Sequence, residues 1–242
     1  MSTEHHRIVV SGIPIDIIRK DIKNLHVGVY PPNGRVRVAA PHRLDNDAIR
    51  RAIITRLQWI RRHQAQFKRQ KRQSDRDMVT GESHYYQGRR YRLNVIEHDA
   101  PPTVTLRNKA TMELRVRPGT DRAKREAILH AWYRDRIREQ IPPLLATWEP
   151  RLGVTVNEVR IKKMKTRWGS CNADAKRIWL NLELAKKPPA SLEYILAHEM
   201  IHLLHRHHDE EFRALLDQLM PNWELRRDEL NRAPLAHEEW EY

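Results

Sequence analysis

Cysteine is nearly absent from this 242-residue chain. Cys171 stands alone, which excludes an internal disulfide framework and any structural zinc site built on four cysteines. No apolar run approaches the length a bilayer demands. The opening stretch MSTEHHRIVVSGIPI lacks both a charged start leading into a long apolar segment and a small-residue cleavage site. There is no glycine-rich phosphate loop, no internal sequence repeat and no low-complexity linker. These absences lead to the expectation of a soluble, cytoplasmic protein in a reducing compartment. Negative charge is also scarce: 31 Asp and Glu face 45 Lys and Arg, a formal net charge of +14. Such an excess attracts polyanions without naming one. Hydrophobic residues make up 40% of the chain, enough to bury a core as one large domain or two small ones.

From Arg7 to Ala40 the segments RIVVSGIPIDII, NLHVGVY and RVRVAA, with the turn PPNG, predict a β meander with a hairpin at Asn33-Gly34. Asp45 can then cap a helix whose apolar positions Ile49, Ile53, Leu57, Ile60 and Phe67 recur at helical spacing, and one long helix is expected over about 45–73. Between Arg50 and Arg76 it carries ten Lys or Arg against one acid, Asp75. A charge run is most simply a solvated face. The functional alternative is a nucleic-acid surface of Arg50, Arg51, Arg61, Arg62, Lys68, Arg69, Lys71 and Arg72. GESHYYQGRRYRLNVI (81–96) reads as a hairpin turning at Gln87-Gly88. It places Tyr85, Tyr86 and Tyr91 beside Arg89, Arg90 and Arg92, as ordinary strand residues or as a base-stacking surface.

TVTLRNKATMELRV (103–116) reads as a further hairpin, and Pro118-Gly119-Thr120 closes a β-rich region over 1–120. Asp121 begins a second long helix with Ile128, Leu129, Trp132, Ile137 and Ile141 on its core face, interrupted at Pro142-Pro143. VNEVRIKKMKT (156–166) and RIWLNLEL (177–184) follow as strands joined by RWGSCNADA. KKPPA leads into a helix that opens at Ser191.

That helix runs into HEMIHLLHRHHDEEF (198–212), five histidines and four acids in fifteen positions. His198 and His202, four apart, share a helix face where both imidazoles can grip one ion, and Glu199 adjoins the first. H-E-x-x-H suits a zinc hydrolase: two neutral imidazoles hold the metal and the carboxylate reaches its water. The opposite face, with Leu192, Ile195, Leu196, Met200, Ile201, Leu203 and Leu204, is apolar, and imidazole nitrogens buried there unpaired would cost roughly 1–3 kcal/mol each. The third ligand is open among His205, His207 and His208, with Glu210, Glu211, Glu224 and Glu229 as carboxylate rivals. On a regular helix His205 lies about 10 Å along the axis from His198, a poor fit to a tetrahedral site. His208 has the spacing of zinc proteases that break the helix and swing a histidine back, and is favoured. Those enzymes carry glycine at the break, where this chain has His205. Asp209 is suited to cap a following helix.

TRWGSC (166–171), IWLNLEL (178–184), Tyr194, HEMIHLLHRHH (198–208), Phe212 and Pro221-Asn222-Trp223 together resemble the YgjP-like zinc metallopeptidase family, as do RKDIKNLHVGVYPPNGRVRVAAP and GESHYYQGRRYRL. The core also resembles the small zinc peptidase domain of proteases that digest protein crosslinked to DNA. The resemblance implies Zn2+ on His198, His202 and His208, with Glu199 as the base that activates a zinc-held water toward a peptide carbonyl. RWGSC is a structural turn or one wall of a cleft. RIWLN stands where zinc peptidases receive extended substrate at a sheet edge. Trp168, Ser170, Trp179 and Asn181 are therefore the candidate cleft residues. Tyr194 is an oxyanion donor or core, and Cys171 lacks a local histidine base for nucleophilic work. The rivals to a peptidase are a zinc nucleotide phosphohydrolase and a nucleic-acid-associated protein with a structural metal, which leaves Glu199 unexplained. The expected fold is α+β: a β-rich N-terminal half with one long basic helix, then over 121–242 a small zincin-like core of a short antiparallel sheet packed on helices.

Overall fold

A computed structural model describes residues 5–30, 34–69, 76–164 and 167–232. The chain packs as two units, one within Met1–Gln73 and the other Ser74–Pro234. No helix among the described residues is long and apolar enough to cross a membrane.

In the first unit, strands β1 (His5–Val10), β2 (Ile13–Lys20), β3 (His26–Tyr30) and β4 (Arg35–Pro41) form one sheet in the order β1-β2-β4-β3. This is not the meander expected, because β4 runs parallel to β2 and separates it from β3. Burial explains the order. Val36, Val38 and Ala40 of β4 are fully buried beside Ile15 and Ile17, whereas Val27 and Val29 of β3 are only half-buried and suit an edge. Of the PPNG turn only Gly34 lies within the described residues.

Helices α1 (Asn46–Ile54) and α2 (Leu57–Arg69) cover this sheet through Ile49, Ile53 and Ile60. The Asp45 carboxylate caps α1, accepting from Ala48 N at 2.6 Å. The single long helix of the sequence reading is two. Thr55 Oγ1 bonds back to Ala52 O at 3.0 Å, competing with helix continuation, and the chain restarts at Leu57. Arg50, Arg51, Arg61 and Arg62 are exposed, as is Trp59, whose ring meets His63 edge-on. Phe67, Lys68 and Arg69 have only their backbone described, and Lys71 and Arg72 lie outside the described residues.

The second unit opens with the same plan. Strands β5 (Ser83–Tyr86), β6 (Arg89–Glu97), β7 (Thr103–Arg107) and β8 (Thr111–Val116) are ordered β5-β6-β8-β7, again with a parallel central pair. The same sequence interval separates Ser11-Gly12 from Gln87-Gly88, both left-handed hairpin turns, and Asp45 from Asp121, both helix caps. The repeat absent from the sequence is thus present in topology. Two of the three tyrosine rings are taken up by packing, since Tyr91 is buried and Tyr86 packs on Trp132 at 4.9 Å, while the Tyr85 main-chain carbonyl accepts from Tyr133 Oη at 2.7 Å.

Helix α3 (Arg122–Leu152) continues through Pro142 and Pro143 instead of stopping there. Proline in a helix interior costs about 3 kcal/mol, and buried Ile141 and Trp148 on either side of the pair offset it. Leu93, Met112, Leu114 and Val116 share one core with Leu129, Tyr133 and Ile137 of α3. The packing therefore divides the chain well before the Pro118–Thr120 junction drawn from the sequence.

A third sheet, of β9 (Glu158–Lys162), β10 (Gly169–Asn172) and β11 (Arg177–Asn181), has the order β10-β11-β9. It is mixed rather than antiparallel, since β11 runs antiparallel to β10 but parallel to β9. After β11 a 3-10 turn, Leu182–Lys186, is held to the β5–β6 hairpin by Gln87 N to Ala185 O (2.9 Å) and Gly88 N to Lys186 O (3.1 Å). Helices α4 (Pro189–Ile201), α5 (Glu210–Leu219) and α6 (Trp223–Arg232) follow. The first starts two residues earlier than expected, with Pro189 at the first helical position, where a missing N–H costs nothing.

Candidate metal centre

Leu192, Leu196, Met200 and Ile201 bury one side of α4, which turns His198 and His202 toward a cleft of about 970 Å³. The helix ends at His202 in an ordinary right-handed conformation, with φ −64° and ψ −12°. Leu204 N and His205 N both bond Ile201 O at 2.9 Å, tightening the last turn without a left-handed residue. The glycine used elsewhere at such a break is therefore not required. The break also frees His205 O to accept from His202 Nδ1 at 3.0 Å. A carbonyl takes only a proton, so Nδ1 carries it and Nε2 keeps its lone pair for a metal.

Downstream, the Asp209 carboxylate caps α5 by accepting from Phe212 N at 2.9 Å. The chain just before that cap returns His208 to the helix. Donor atoms of His198, His202 and His208 all lie within 4.8 Å of one another, and the Nε2 atoms of His198 and His208 are 3.0 Å apart. Zinc–nitrogen bonds of about 2.0–2.1 Å in a tetrahedron separate donors by roughly 3.3 Å, so the set fits an ion of that kind. Burial, with the neighbouring His202 and His208, holds the His198 imidazole down to about 3. Burial and His202 likewise lower His208. These rings are neutral at working pH, as ligands must be. Beneath them lies Phe212, fully buried, its ring centroid 4.8–5.0 Å from those of all three imidazoles.

The remaining histidines of the cluster do not join the set. His205 Nδ1 lies 3.4 Å from Glu211 Oε2, and His207 is an exposed residue of the cleft wall. Tyr194 is core: it is buried, 5.8 Å from the His198 ring, and burial raises its hydroxyl to about 12.

Glu199 is buried against the start of β10. A methyl group placed on Gly169 would come within 2.6 Å of Glu199 Oε1 and 2.9 Å of Ile195 Cγ2, so only glycine lets this strand meet the helix. Burial pushes the Glu199 carboxyl up to about 7, with the Arg167 charge opposing. Burial and then Glu199 raise the Cys171 thiol to about 11, which leaves it protonated and unsuited to nucleophilic attack.

Trp168 and Ser170 line the cleft, but Trp179 and Asn181 are not brought to it. Strand β11 is central, so its main-chain groups are occupied on both sides and it cannot receive a substrate strand. Trp179 lies on the sheet's outer face under Arg160 and Lys162. Asn181 is buried and clamps main chain: its side chain donates to Met164 O and Arg167 O, both at 2.8 Å, and accepts from Met164 N at 3.2 Å. Of the two edge strands, β9 and β10, it is β10 that lines the cleft. Asn181 N donates to Trp168 O at 2.9 Å, which makes those two a hydrogen-bonded pair. The alternation of an antiparallel ladder then turns the main-chain groups of Gly169 and Cys171 away from β11, toward the free edge. Gly169 and the clamp at Asn181 escaped the sequence reading, although a glycine in a strand is a known mark of close backbone approach.

A family model described as YgjP-like, metallopeptidase domain, matches residues 24–233. Among solved structures, the metallopeptidase zymogen abylysin of Pyrococcus abyssi aligns at 22% identity with a TM-score of 0.34, over 36% of this chain and 89% of that one. No curated protein matches.

Proposed function

The chain belongs to the YgjP-like metallopeptidase family, and from that premise we propose that it hydrolyses peptide bonds with zinc held by His198, His202 and His208 and with Glu199 as proton carrier. One observation carries the reading. Three converging imidazoles, a buried carboxylate beside the first of them and an open strand edge share a single cleft.

Zinc supplies Lewis-acid chemistry when bound, making a water acidic and a carbonyl electrophilic. Glu199 in its ionised form accepts a proton at Oε from the attacking water, then returns it to the departing nitrogen. Burial favours the protonated half of this cycle and the Arg167 charge the ionised half. The free main-chain groups of Gly169 and Cys171 hold an extended peptide by strand addition, across the cleft from Leu203 and Leu204. The family match gives no support to a nucleotide phosphohydrolase or to a structural metal.

The test is cleavage of a denatured protein by the zinc-loaded chain, followed by mass spectrometry. Glu199→Gln should retain zinc and lose activity on the order of a thousandfold, while His208→Ala should lose zinc. Undiminished cleavage by Glu199→Gln would refute its role, and full zinc retention by His208→Ala would refute the ligand set.

A further inference from the structure

Hydrolysis alone does not call for the charge pattern along this cleft. Its β10 wall begins at Arg167 and ends, beyond the strand, at Asp174; both are exposed and both line the cleft. The facing wall, formed by the loop after α4, adds Arg206 and His207. Among the described residues no hydrogen bond or ion pair ties Arg167 or Arg206 to a carboxylate, and Arg167 acts on Glu199 through its charge alone. On the outer face of the same sheet, by contrast, Arg160 and Arg177 are both tied to Glu158. The Asn181 side chain holds the main chain at Arg167 O, so the backbone from which this cation extends is anchored at the cleft's mouth. Arg167 precedes Gly169 by two residues, roughly 7 Å along extended chain, and Glu199 packs on Gly169.

Resting on the hydrolytic reading above, we propose that the cleft selects peptides that carry a carboxylate, read by Arg167 about two residues from the bond that is cut. Arg206 adds to the same positive field from the opposite wall, and Asp174 disfavours acids at the far end. A planar guanidinium takes a carboxylate through two parallel hydrogen bonds, which makes the preference positional as well as electrostatic. The carboxylate has two sources, an acidic side chain within the peptide or the peptide's own C-terminus.

The experiment uses a fluorescent peptide in four forms: neutral with an amidated end, the same with Glu scanned through the positions flanking the cut, the same with Lys, and neutral with a free C-terminus. Turnover is measured with the zinc-loaded chain, and binding by anisotropy with zinc-loaded Glu199→Gln. Glu at one position should improve both kcat/KM and Kd on the order of tenfold over neutral peptide, the worth of one charge-assisted pair. Arg167→Glu in the Glu199→Gln background, where no carboxylate stands at position 199 for the Arg167 charge to act on, should transfer the binding preference to Lys at the same position, a reversal that a merely structural residue would not produce. Improvement by the amidated Glu peptide assigns the carboxylate to a side chain; improvement confined to the free C-terminus assigns it to the peptide's end. Equal binding of acidic, neutral and basic peptides overturns the proposal, as does an acid preference that survives Arg167→Glu. Binding is read without turnover, so failure to cut any peptide refutes the hydrolytic reading alone.

Discussion

Gly169→Ala places one methyl group where the helix and the substrate-side strand touch. The added carbon meets Glu199 Oε1 at 2.6 Å, Glu199 Cγ at 2.7 Å and Ile195 Cγ2 at 2.9 Å, where ordinary contact begins at 3.4 Å. Ile195 is β-branched and held on a buried helix, so its rotamer gives little. The Glu199 side chain therefore moves, by several tenths of an ångström or more. A displacement of about 1 Å at a reacting group costs on the order of a hundredfold in rate, so kcat/KM should fall roughly tenfold to a hundredfold. Overpacking of this kind costs about 1–3 kcal/mol, a fall in melting temperature of roughly 3–10 °C for a unit of this size. Zinc content should not change, because no ligand touches the new methyl. Activity, zinc stoichiometry and thermal melts check the three quantities. The decisive control is the same substitution in a Glu199→Ala background. There both clashing Glu199 atoms are gone, so Gly169→Ala should cost less stability than in the native chain. Additive losses, or wild-type kcat/KM in the single variant, would refute the contact as the reason for glycine.

Asn181→Ala strips partners from main-chain groups of Met164, Arg167 and Glu183 at once. Urea denaturation should show a loss of roughly 2–3 kcal/mol, with KM rising more than kcat falls; unchanged stability would show that the clamp is dispensable. In the first unit, burial raises the Asp16 carboxyl, but its bonds to Arg35 and Arg7 outweigh this and leave it below its ordinary value. The resulting stabilisation is complete above the unfolded carboxylate value of about 3.9 and is lost as pH falls through the lower folded value. Asp16→Asn should flatten that acid limb of melting temperature against pH, and an identical limb would refute the linkage. Single-stranded nucleic acid should bind the intact chain with log K falling linearly in log salt, and Arg61→Ala with Arg62→Ala should reduce the slope by about one to two. An unchanged slope would identify that face as solvated only.

Local features were the legible ones. Asp45, Asp121 and Asp209 each announce a helix start because a short carboxylate satisfies free N–H groups there. The left-handed turn at Gln87-Gly88 announces a hairpin, and His198 and His202 announce themselves by helical spacing. What alternation does not report is which strand lies next to which, so the parallel pairs β2–β4 and β6–β8 were missed. The place of RIWLN just before the histidine helix suggests an edge strand, yet its two fully buried residues, Ile178 and Leu180, are what a central strand needs. The true edge, GSCN, is too short and polar to stand out. Asn181 falls among the cleft candidates only as a member of that strand, and a polar residue at the end of an apolar strand is a pattern shared by substrate sites and by clamps. Pro142 and Pro143 misled because local propensity was outweighed by packing on both sides of them.

The hydrogen bond from Phe212 N to Asp209 joins two things that a chain could have kept apart, the return of His208 and the apolar floor under all three imidazoles. Occupancy of the cluster and docking of α5 are therefore linked functions. Any ligand that holds His208 against His198 and His202 stabilises α5 by RT ln(1 + [L]/Kd). Hydrogen exchange along Glu210–Leu219 should slow by the corresponding factor, which turns this helix into a reporter of the site it closes.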